Sequence, residues 1–501
     1  MIPSPPEQPF VPSRHMNQKI AVSVVYVAAL FMNIMDSTIV NVALPTLGRE
    51  FHVRPDSVDT VAIGYLVSLA VFIPVSGWLG DRLGGRRVLL GAIVVFTGAS
   101  ALCGISTSLS ELVFFRVVQG AGGGLMVPVG MAMLWRTFPP AERVRASSIL
   151  IVPTAMAPAL GPVLGGLFVT DVSWRWVFYV NVPIGLAALA FGLWYLEAFL
   201  EHPPGRFDLT GFLLSALGLG LLMYGLSEGP FRGWGSPLIV ATLVAGAALL
   251  AALVMVELRS RRPIMDIRLF ADRLFRSANI VLGLGSAAFI GVLFLVALFF
   301  QDGLGLSALQ SGLSTFPEAL GIMAGAQVVT RWLYPVFGPR RVMFGGLLAL
   351  SGSLALMALV GAGTNLWWMR LLLFVLGYFM AHVFVPSQAA AFATISPADT
   401  ARASTVFNVQ RQVGSAVGVA VLTTVLAALG PTRFVAGHAL AHLTAYHAGF
   451  LTAAGVAVLA ALFSLTISDA DAAETMVRRG RFARRPVSAA GGTQPAPAAG
   501  A

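Results

Sequence analysis

Long apolar runs alternate with short polar segments along almost the whole chain. A helix that crosses a membrane needs about 20 mostly apolar residues, each adding about 1.5 Å of length. Fourteen runs meet this requirement, so the pattern predicts an all-α integral membrane fold with fourteen transmembrane helices. Their approximate bounds are 20–44, 58–79, 88–108, 111–135, 147–170, 175–197, 208–228, 237–257, 276–300, 307–331, 341–361, 366–392, 402–428 and 448–467.

The basic residues fall into alternate connections between these runs. The termini and connections on one side hold 24 Lys and Arg residues, whereas the other side holds five. Cytoplasmic loops are enriched in Lys and Arg, so both termini are predicted to be cytoplasmic in a multi-pass protein of the cell membrane. The net charge of +10 therefore reflects topology and not a nucleic-acid partner.

Composition narrows the class of protein. The chain is 57% hydrophobic and only 11% charged, with a mean hydropathy of +0.82, values typical of a protein embedded in lipid. Cys103 is its single cysteine, and the sequence contains no metal-ligand set, phosphate-binding loop or nucleophile–base arrangement. We therefore expect no metal, no cofactor and no enzymatic activity, with membrane lipids and a small-molecule substrate as partners.

The chain also repeats itself. At an offset of 254 residues, Trp78–Val88 matches Trp332–Val342, and the same offset places Arg116 on Arg370. Two parallel six-helix halves with a cavity between them are a common transporter plan. The predicted organisation is an N-terminal tail at 1–19, a six-helix bundle at 20–200, two inserted helices at 201–260, a second six-helix bundle at 261–470 and a disordered tail at 471–501.

Five motifs occur in order: FMNIMDSTIVNVALP, GWLGDRLGGRRVLL, RVVQGAGGGLMVP, APALGPVLGG and WRWVFYVNVPIG. Together with the inserted helix pair, they resemble the motif series of the fourteen-span drug:proton antiporters of the major facilitator superfamily. The resemblance implies that two pseudo-symmetric bundles carry out proton-coupled efflux of drugs or other lipophilic or cationic compounds by alternating access. Protons would be the coupling ion.

The second motif forms a candidate latch. Asp81 ends its span, where it could accept hydrogen bonds from N–H groups at a neighbouring helix start, and Gly84 permits a tight reversal. The resemblance implies that this loop clamps the two halves on the cytoplasmic side in one conformation; alternatively, its arginines only fix topology. Pro335 replaces the acid in the second-half copy, so a latch would be asymmetric. The latch residues are Gly77, Asp81, Arg82, Gly84, Arg86 and Arg87.

The fourth motif predicts a bare, bent helix face. Gly161 and Gly165 lie one turn apart with Gly166 beside them, and Pro162 removes a backbone hydrogen bond. The resemblance implies that this helix makes a tight contact with the opposite half that limits leak. Generic packing of small residues is the alternative, above all for Gly166.

Two acids interrupt apolar runs, and such residues usually mark an ion or proton path because burying a charge is costly. Asp36 and Glu318 are each predicted to lie roughly 15 Å below the outer surface, so both could face one central cavity from opposite halves. The resemblance gives Arg116 a part in proton movement beside Asp36. The alternatives for Asp36 are a structural ion pair or a carboxyl group that faces water near a helix end. Glu318 departs from the small residue typical of the family.

A mechanism follows from these acids. A carboxyl group removed from water holds its proton more tightly, so Asp36 or Glu318 could gain and lose a proton near neutral pH. Such a group would bind a cationic or polar substrate when ionised and release it when protonated. Aromatic, Met and amide side chains would line the cavity and adapt to several ligands. We expect the lining to include Asn33, Tyr65, Gln119, Met126, Phe316, His382, Asn408 and Arg411, with His382 alternatively a hydrogen-bonded core residue.

Two other functions stay open. One is a dedicated exporter of a single siderophore, lipid or amino acid, built on the same frame. The other is a membrane sensor without transport, although no soluble output domain follows the spans. A periplasmic adaptor is not expected, because the second span resembles that of single-component relatives more closely.

Overall fold

The computed structural model describes residues 16–53, 55–198, 207–260, 263–361, 363–430, 432–435 and 438–476. In these ranges, 13 helices are long and apolar enough to cross a membrane. One of them, Leu309–Met357, covers two predicted spans and is broken at Gly338, where the backbone φ angle is +76°. The fourteen predicted spans are therefore all accounted for by helices.

The helices of the described residues have the following bounds: α1 Gln18–Glu50, α2 Pro55–Val58, α3 Thr60–Leu83, α4 Gly85–Ile105, α5 Leu109–Thr137, α6 Arg143–Thr154, α7 Met156–Leu167, α8 Trp176–Tyr179, α9 Asn181–Tyr195, α10 Leu209–Arg232, α11 Pro237–Arg259, α12 Arg273–Leu298, α13 Ala308–Val328, α14 Tyr334–Met357, α15 Leu366–Ala391, α16 Thr400–Leu429 and α17 Leu443–Ser464. Short π-helical segments extend α7 to Val172, α12 to Gly303 and α13 to Leu333. Two antiparallel strands, β1 Thr432–Val435 and β2 His438–Ala441, connect α16 to α17.

Polar residues at the span ends determine where several helices begin. Ser108, Asp208 and Asn365 each accept a hydrogen bond from a backbone N–H of the first turn. Ser307 and Gln310 form a reciprocal capping box at the start of α13. These side chains satisfy N–H groups that a helix start leaves without partners.

Two bundles form the body of the protein. The first half contains α1 and α3–α9, and the second contains α12–α17. Contacts between the halves run along two seams. In one seam α7 packs on α13 and the preceding α6 packs on α13 and α15; in the other α16 packs on α3 and α5. We call the end of the bundle with the predicted inner loops, including Gly84 and Gly338, the basic end.

The inserted helices bridge the second seam. α10 packs against α3 of the first half, α16 of the second half and its partner α11. Ala70, Leu219 and Met223 form a small buried cluster there, and Val409 packs against it. At the opposite end from the basic end, the Trp234 indole N–H donates to the Thr424 hydroxyl at 2.9 Å. The insertion therefore contacts both halves.

Most of the predicted N-terminal tail, part of one predicted connection and most of the predicted C-terminal tail have no described structure. Residues 1–15 and 199–206 and the tail from 477 to 501 lie outside the described residues. The expectation of a disordered tail from 471 is wrong for 471–476. These residues include a 3-10 turn at Ala473–Thr475, in which Thr475 is buried.

Candidate functional site: a buried ion pair and a separate buried acid

Asp36 lies in the interior of the first half and is fully buried. Its Oδ2 accepts a hydrogen bond from Arg116 Nη1 at 2.5 Å. Its Oδ1 accepts from the side-chain amides of Gln119 at 2.8 Å and Asn181 at 3.0 Å. α1, α5 and α9 thus each contribute to one polar cluster, and both carboxylate oxygens are satisfied.

The arginine of this cluster is held on several sides. Arg116 also donates to the Val61 carbonyl at 3.3 Å and to Gln119 Oε1 at 2.8 Å. Its guanidinium lies 4.1 Å from the centroid of the Tyr65 ring, a distance typical of a cation–π contact. The Asn33 amide in turn donates to the Tyr65 hydroxyl at 2.8 Å. A buried guanidinium requires such partners because it stays charged.

The expectation that Asp36 and Glu318 face one cavity is wrong for this conformation. Every hydrogen-bond partner of the Asp36 carboxylate belongs to the first half, and the carboxylate is enclosed by it. The depth estimate considered only the distance along each helix and assumed that α1 ends near Pro45. The helix continues to Glu50, and its rotation turns Asp36 toward α5 and α9.

Glu318 is the second buried acid. It lies on α13 with 1% exposure, and its Oε1 atom has no hydrogen-bond partner among the described residues. Arg370 is the repeat counterpart of Arg116. Its guanidinium donates to the hydroxyl of Ser314, one turn before Glu318 on α13, at 3.4 Å. α13 packs against α7 of the first half, so Glu318 is on a helix that forms the seam between the halves. The backbone of Glu318 itself packs against Gly377 of α15 in the second half.

The predicted cavity residues occupy three regions. Asn33, Tyr65 and Gln119 belong to the Asp36 cluster, and Met126 is fully buried within the first half. His382 is buried, its Nδ1 lies 2.9 Å from the Tyr378 carbonyl, and its Cβ packs against Gly346 of α14. The histidine therefore faces the interior of the second half.

The remaining cavity candidates lie on seam-forming helices. Asn408 contacts Met131 of the first half through a 3.4 Å approach of its amide to the sulfur, and it accepts from Arg411 at 3.4 Å. Phe316 is half-buried on α13, two residues before Glu318. The eight predicted residues do not line a single cavity in this conformation.

The glycines of the fourth motif divide between two neighbours. A Cβ on Gly161 would overlap the Thr38 side chain, and one on Gly165 would lie 3.0 Å from the Ile39 carbonyl oxygen, both on α1 of the same half. A Cβ on Gly166 would make only ordinary contacts with Leu309 of α13. Pro162 approaches Gly312, also on α13. α7 is thus packed tightly on its own half, and part of the same helix meets the other half.

The latch residues lie at the basic end. Asp81 pairs with Arg136 at 3.1 Å, and Arg136 also donates to the Pro397 carbonyl of the second half at 3.3 Å. Gly77 packs directly on α16, where an added Cβ would lie 2.9 Å from Thr405 Oγ1. Asp81 thus engages a side chain at the end of α5 and not the expected N–H groups of a helix start.

The other latch residues act within the first half. Gly84 makes the reversal between α3 and α4 with φ of +86°, a conformation that favours glycine. Arg86 donates to the Leu193 carbonyl at 2.8 Å, whereas Arg82 and Arg87 are exposed. Contact with the second half is therefore made through Gly77 and Arg136.

Sequence reasoning missed Asn181 and Ser100. The Asn181 amide donates to both Asp36 and the Ser100 hydroxyl, and Ser100 donates to the Phe178 carbonyl at 2.9 Å. Asn181 falls within the WRWVFYVNVPIG motif, and it is a polar residue in an otherwise apolar run. A polar residue in an apolar run indicates a buried polar contact, but the sequence does not indicate which helix the amide faces.

Comparison with known proteins agrees with this architecture. The family model described as Major Facilitator Superfamily matches residues 26–419 and 326–494. The chain belongs to the major facilitator superfamily. Its family is one of transporters and not of enzymes. The apolar helices agree with a multi-pass membrane protein.

Two relatives of this facilitator-superfamily chain are named as multidrug resistance proteins, and one solved transporter structure has a similar fold. The multidrug resistance protein B homolog of Mycobacterium tuberculosis is 33% identical over 412 residues, which cover 80% of this chain and 75% of the relative. MdtD of Pectobacterium carotovorum, also named as a multidrug resistance protein, is 30% identical over 450 residues, which cover 90% of this chain and 96% of the relative. The crystal structure of the human organic anion transporter MFSD10 is similar in fold, with a TM-score of 0.65, 18% identity and coverage of 90% of this chain and 100% of that one.

Proposed function

We propose that this protein exports drugs or other lipophilic and cationic compounds across the cell membrane in exchange for protons, by alternating access. Two of its relatives are named as multidrug resistance proteins, which supports drugs as the substrate class. The proposed orientation places the basic end and both termini in the cytoplasm, because cytoplasmic loops are enriched in Lys and Arg. No periplasmic adaptor is part of the proposal.

The observation that carries proton coupling is the environment of Glu318. One carboxylate oxygen has no hydrogen-bond partner, the side chain is almost fully buried, and its helix forms a seam between the halves. A buried carboxyl group of this kind is costly as an isolated anion, so it favours a bound proton or a bound cation. In the proposed cycle, an arriving cation binds the carboxylate and the proton leaves to water.

Asp36 and Arg116 have a different proposed role in this conformation. The carboxylate already has a cationic partner and two amide donors, so it has no free position for a substrate cation. For Asp36 to exchange a proton, the Arg116 contact must open in another step of the cycle. We therefore assign the first proton exchange to Glu318. In this conformation, the Asp36–Arg116 ion pair has the role of holding α1 against α5.

The conformation described here has a closed basic end. Arg136, Arg143 and Gly77 of the first half contact Pro397, Phe392 and Thr405 of the second half. Release of these contacts would admit substrate from the cytoplasm under the proposed orientation. The latch loop would then act on the closed state, since Asp81 holds Arg136 in position for the Pro397 carbonyl.

Proton release on substrate binding tests the coupling. Purified protein in weakly buffered detergent solution would receive tetraphenylphosphonium, and a pH indicator would record the protons released. We expect release from wild type, loss of release in Glu318→Gln and retention in Glu50→Gln, which changes an exposed acid at the end of α1. Undiminished release from Glu318→Gln would remove Glu318 from the mechanism.

Substrate range requires a second experiment. Proteoliposomes with an imposed proton gradient would be tested for transport of ethidium and for its inhibition by chemically unrelated cations, siderophores, lipids and amino acids. Competition by several unrelated cations is the result expected of a multidrug exporter. Inhibition by one compound class alone would indicate the dedicated exporter, and gradient-independent binding without transport would indicate the sensor.

A further inference from the structure

The chain folds back on the basic end after its last spanning helix. α17 ends at Ser464, and the segment 465–476 that follows contains Ile467, Ala472 and Thr475 as buried residues. Ile467 and Ala472 belong to the main hydrophobic cluster of the protein. This segment, which we call the terminal clamp, is therefore packed into the bundle and does not trail from it.

Asp469 joins the terminal clamp to the loop of the second half that repeats the latch. Its Oδ1 accepts a hydrogen bond from the Arg340 backbone N–H at 2.9 Å. A Cβ on Gly338 would lie 2.6 Å from the Asp469 carboxyl carbon, so the carboxylate sits directly against this turn. Gly338 has φ of +76°, close to the +86° of Gly84 at the equivalent turn of the first half.

This contact supplies an acid that the repeated motif lacks. In the first half, Asp81 is part of the latch loop itself, whereas Pro335 stands at its repeat position. The carboxylate of Asp469 reaches the second-half turn from outside the motif and caps an N–H group at the start of the helical segment after Gly338. Such an anion is favourable at a helix start because of the free N–H groups there.

The terminal clamp also reaches the first half. The Thr475 hydroxyl and the Tyr334 hydroxyl lie 2.7 Å apart and are both buried, which fixes the turn Ala473–Thr475 to α14. That turn packs against the 3-10 turn Pro140–Glu142, which connects α5 to α6. Glu474 lies within electrostatic reach of Arg143, whose guanidinium donates to the Phe392 carbonyl of the second half.

We infer that the terminal clamp holds the basic end closed, with Asp469 and Thr475 as positioning residues that fix it to the second half while its turn engages the first. This inference rests on the proposed alternating access. The basic end can open only if the turn Ala473–Thr475 separates from Pro140–Glu142, because the two turns belong to different halves. The terminal clamp therefore adds to the Asp81–Arg136 latch a second set of contacts specific to the closed state.

Cysteine labelling of the full chain tests this inference without transport, substrate or a proton gradient. The reporter is Ser76→Cys in a Cys103→Ser background, since Ser76 is fully buried between α3 and α16 near Thr405. Asp469→Ala and Thr475→Val would each be added to the reporter. We expect each to raise the rate of maleimide labelling by about five-fold, the factor equivalent to one hydrogen bond, because the terminal clamp is then held less firmly in the position where its turn meets Pro140–Glu142.

Two controls separate opening from loss of fold. Asp471→Ala removes an exposed acid of the same segment and should leave the labelling rate unchanged. The buried native Cys103, in chains that keep Ser76, should stay protected in both clamp variants. Unchanged labelling at position 76, or an equal rise at positions 76 and 103, would overturn the inference. Because transport is not measured, failure of proton coupling would leave this result interpretable.

Discussion

Asp36 and Arg116 are 80 residues apart in the chain and form a 2.5 Å ion pair inside the first half, where both side chains are at most 1% exposed. The pair joins α1 to α5, and Asn181 extends it to α9. Two charges that are buried together stabilise each other, but either one alone is an uncompensated charge away from water. This relationship makes the pair sensitive to the loss of one partner.

Asp36→Asn should destabilise the protein by about 3 to 5 kcal/mol, because Arg116 remains charged and loses its counterion. Arg116→Gln should have a similar effect, and the double variant Asp36→Asn/Arg116→Gln should be less destabilised than the two single effects combined. The apparent melting temperature of purified protein in detergent measures all three. Glu50→Gln serves as the control, and a single variant as stable as wild type would contradict the ion-pair interpretation.

Gly161→Ala and Gly166→Ala should behave differently although the glycines are five residues apart in one motif. A methyl group at 161 meets the Thr38 side chain, whereas at 166 it finds ordinary contact distances to Leu309. We expect Gly161→Ala to cost about 1 to 3 kcal/mol through overpacking. Gly166→Ala should stay near wild type in apparent melting temperature. Thr38→Ala removes the nearest atom but leaves the Thr38 Cβ at 2.9 Å and the Ile39 backbone nitrogen at 3.1 Å, so it should restore part of the stability of Gly161→Ala. Equal effects of the two glycine variants would contradict the overpacking explanation.

The spans could be predicted from the sequence because bilayer thickness sets the length of an apolar run. The internal repeat predicted the two halves. It could not supply the rotation of each helix. Distance along α1 gave a depth for Asp36 but not its direction, and the side chain points to α5 and α9. Asp469 shows a second limit, since its contact with Arg340 joins residues 129 positions apart. Depth follows from local pattern, whereas partners depend on packing.

Trp234→Phe should loosen the inserted helices from the second half. The indole N–H donates to Thr424 at 2.9 Å, and phenylalanine keeps the aromatic ring without the donor. Loss of one hydrogen bond of about 1 kcal/mol should increase local opening at the end of α10. Hydrogen exchange of peptides from α10 measures this directly. Trp194→Phe, at a site that is 76% exposed, is the matched control, and equal exchange in both variants would argue against the tether.

A disulfide between Ser76→Cys and Thr405→Cys should stop transport in a Cys103→Ser background. The two hydroxyl oxygens lie 3.3 Å apart across the seam between α3 and α16, so the substituted thiols are within reach of each other. Cross-linking would fix the basic end in the closed state described here. We expect an oxidant to abolish ethidium efflux from proteoliposomes and a reductant to restore it.

The matched control pair for this cross-link is Ser277→Cys/Thr466→Cys. Its hydroxyl oxygens are 2.9 Å apart, but both residues belong to the second half. Thr466 belongs to the terminal clamp, which Asp469 and Thr475 already fix to the second half. This disulfide should therefore form as readily and leave efflux intact, because it joins no parts that move relative to each other in alternating access. If the Ser76–Thr405 pair cross-links fully and efflux continues, the seam does not open during transport and rigid closure at this end is not part of the cycle.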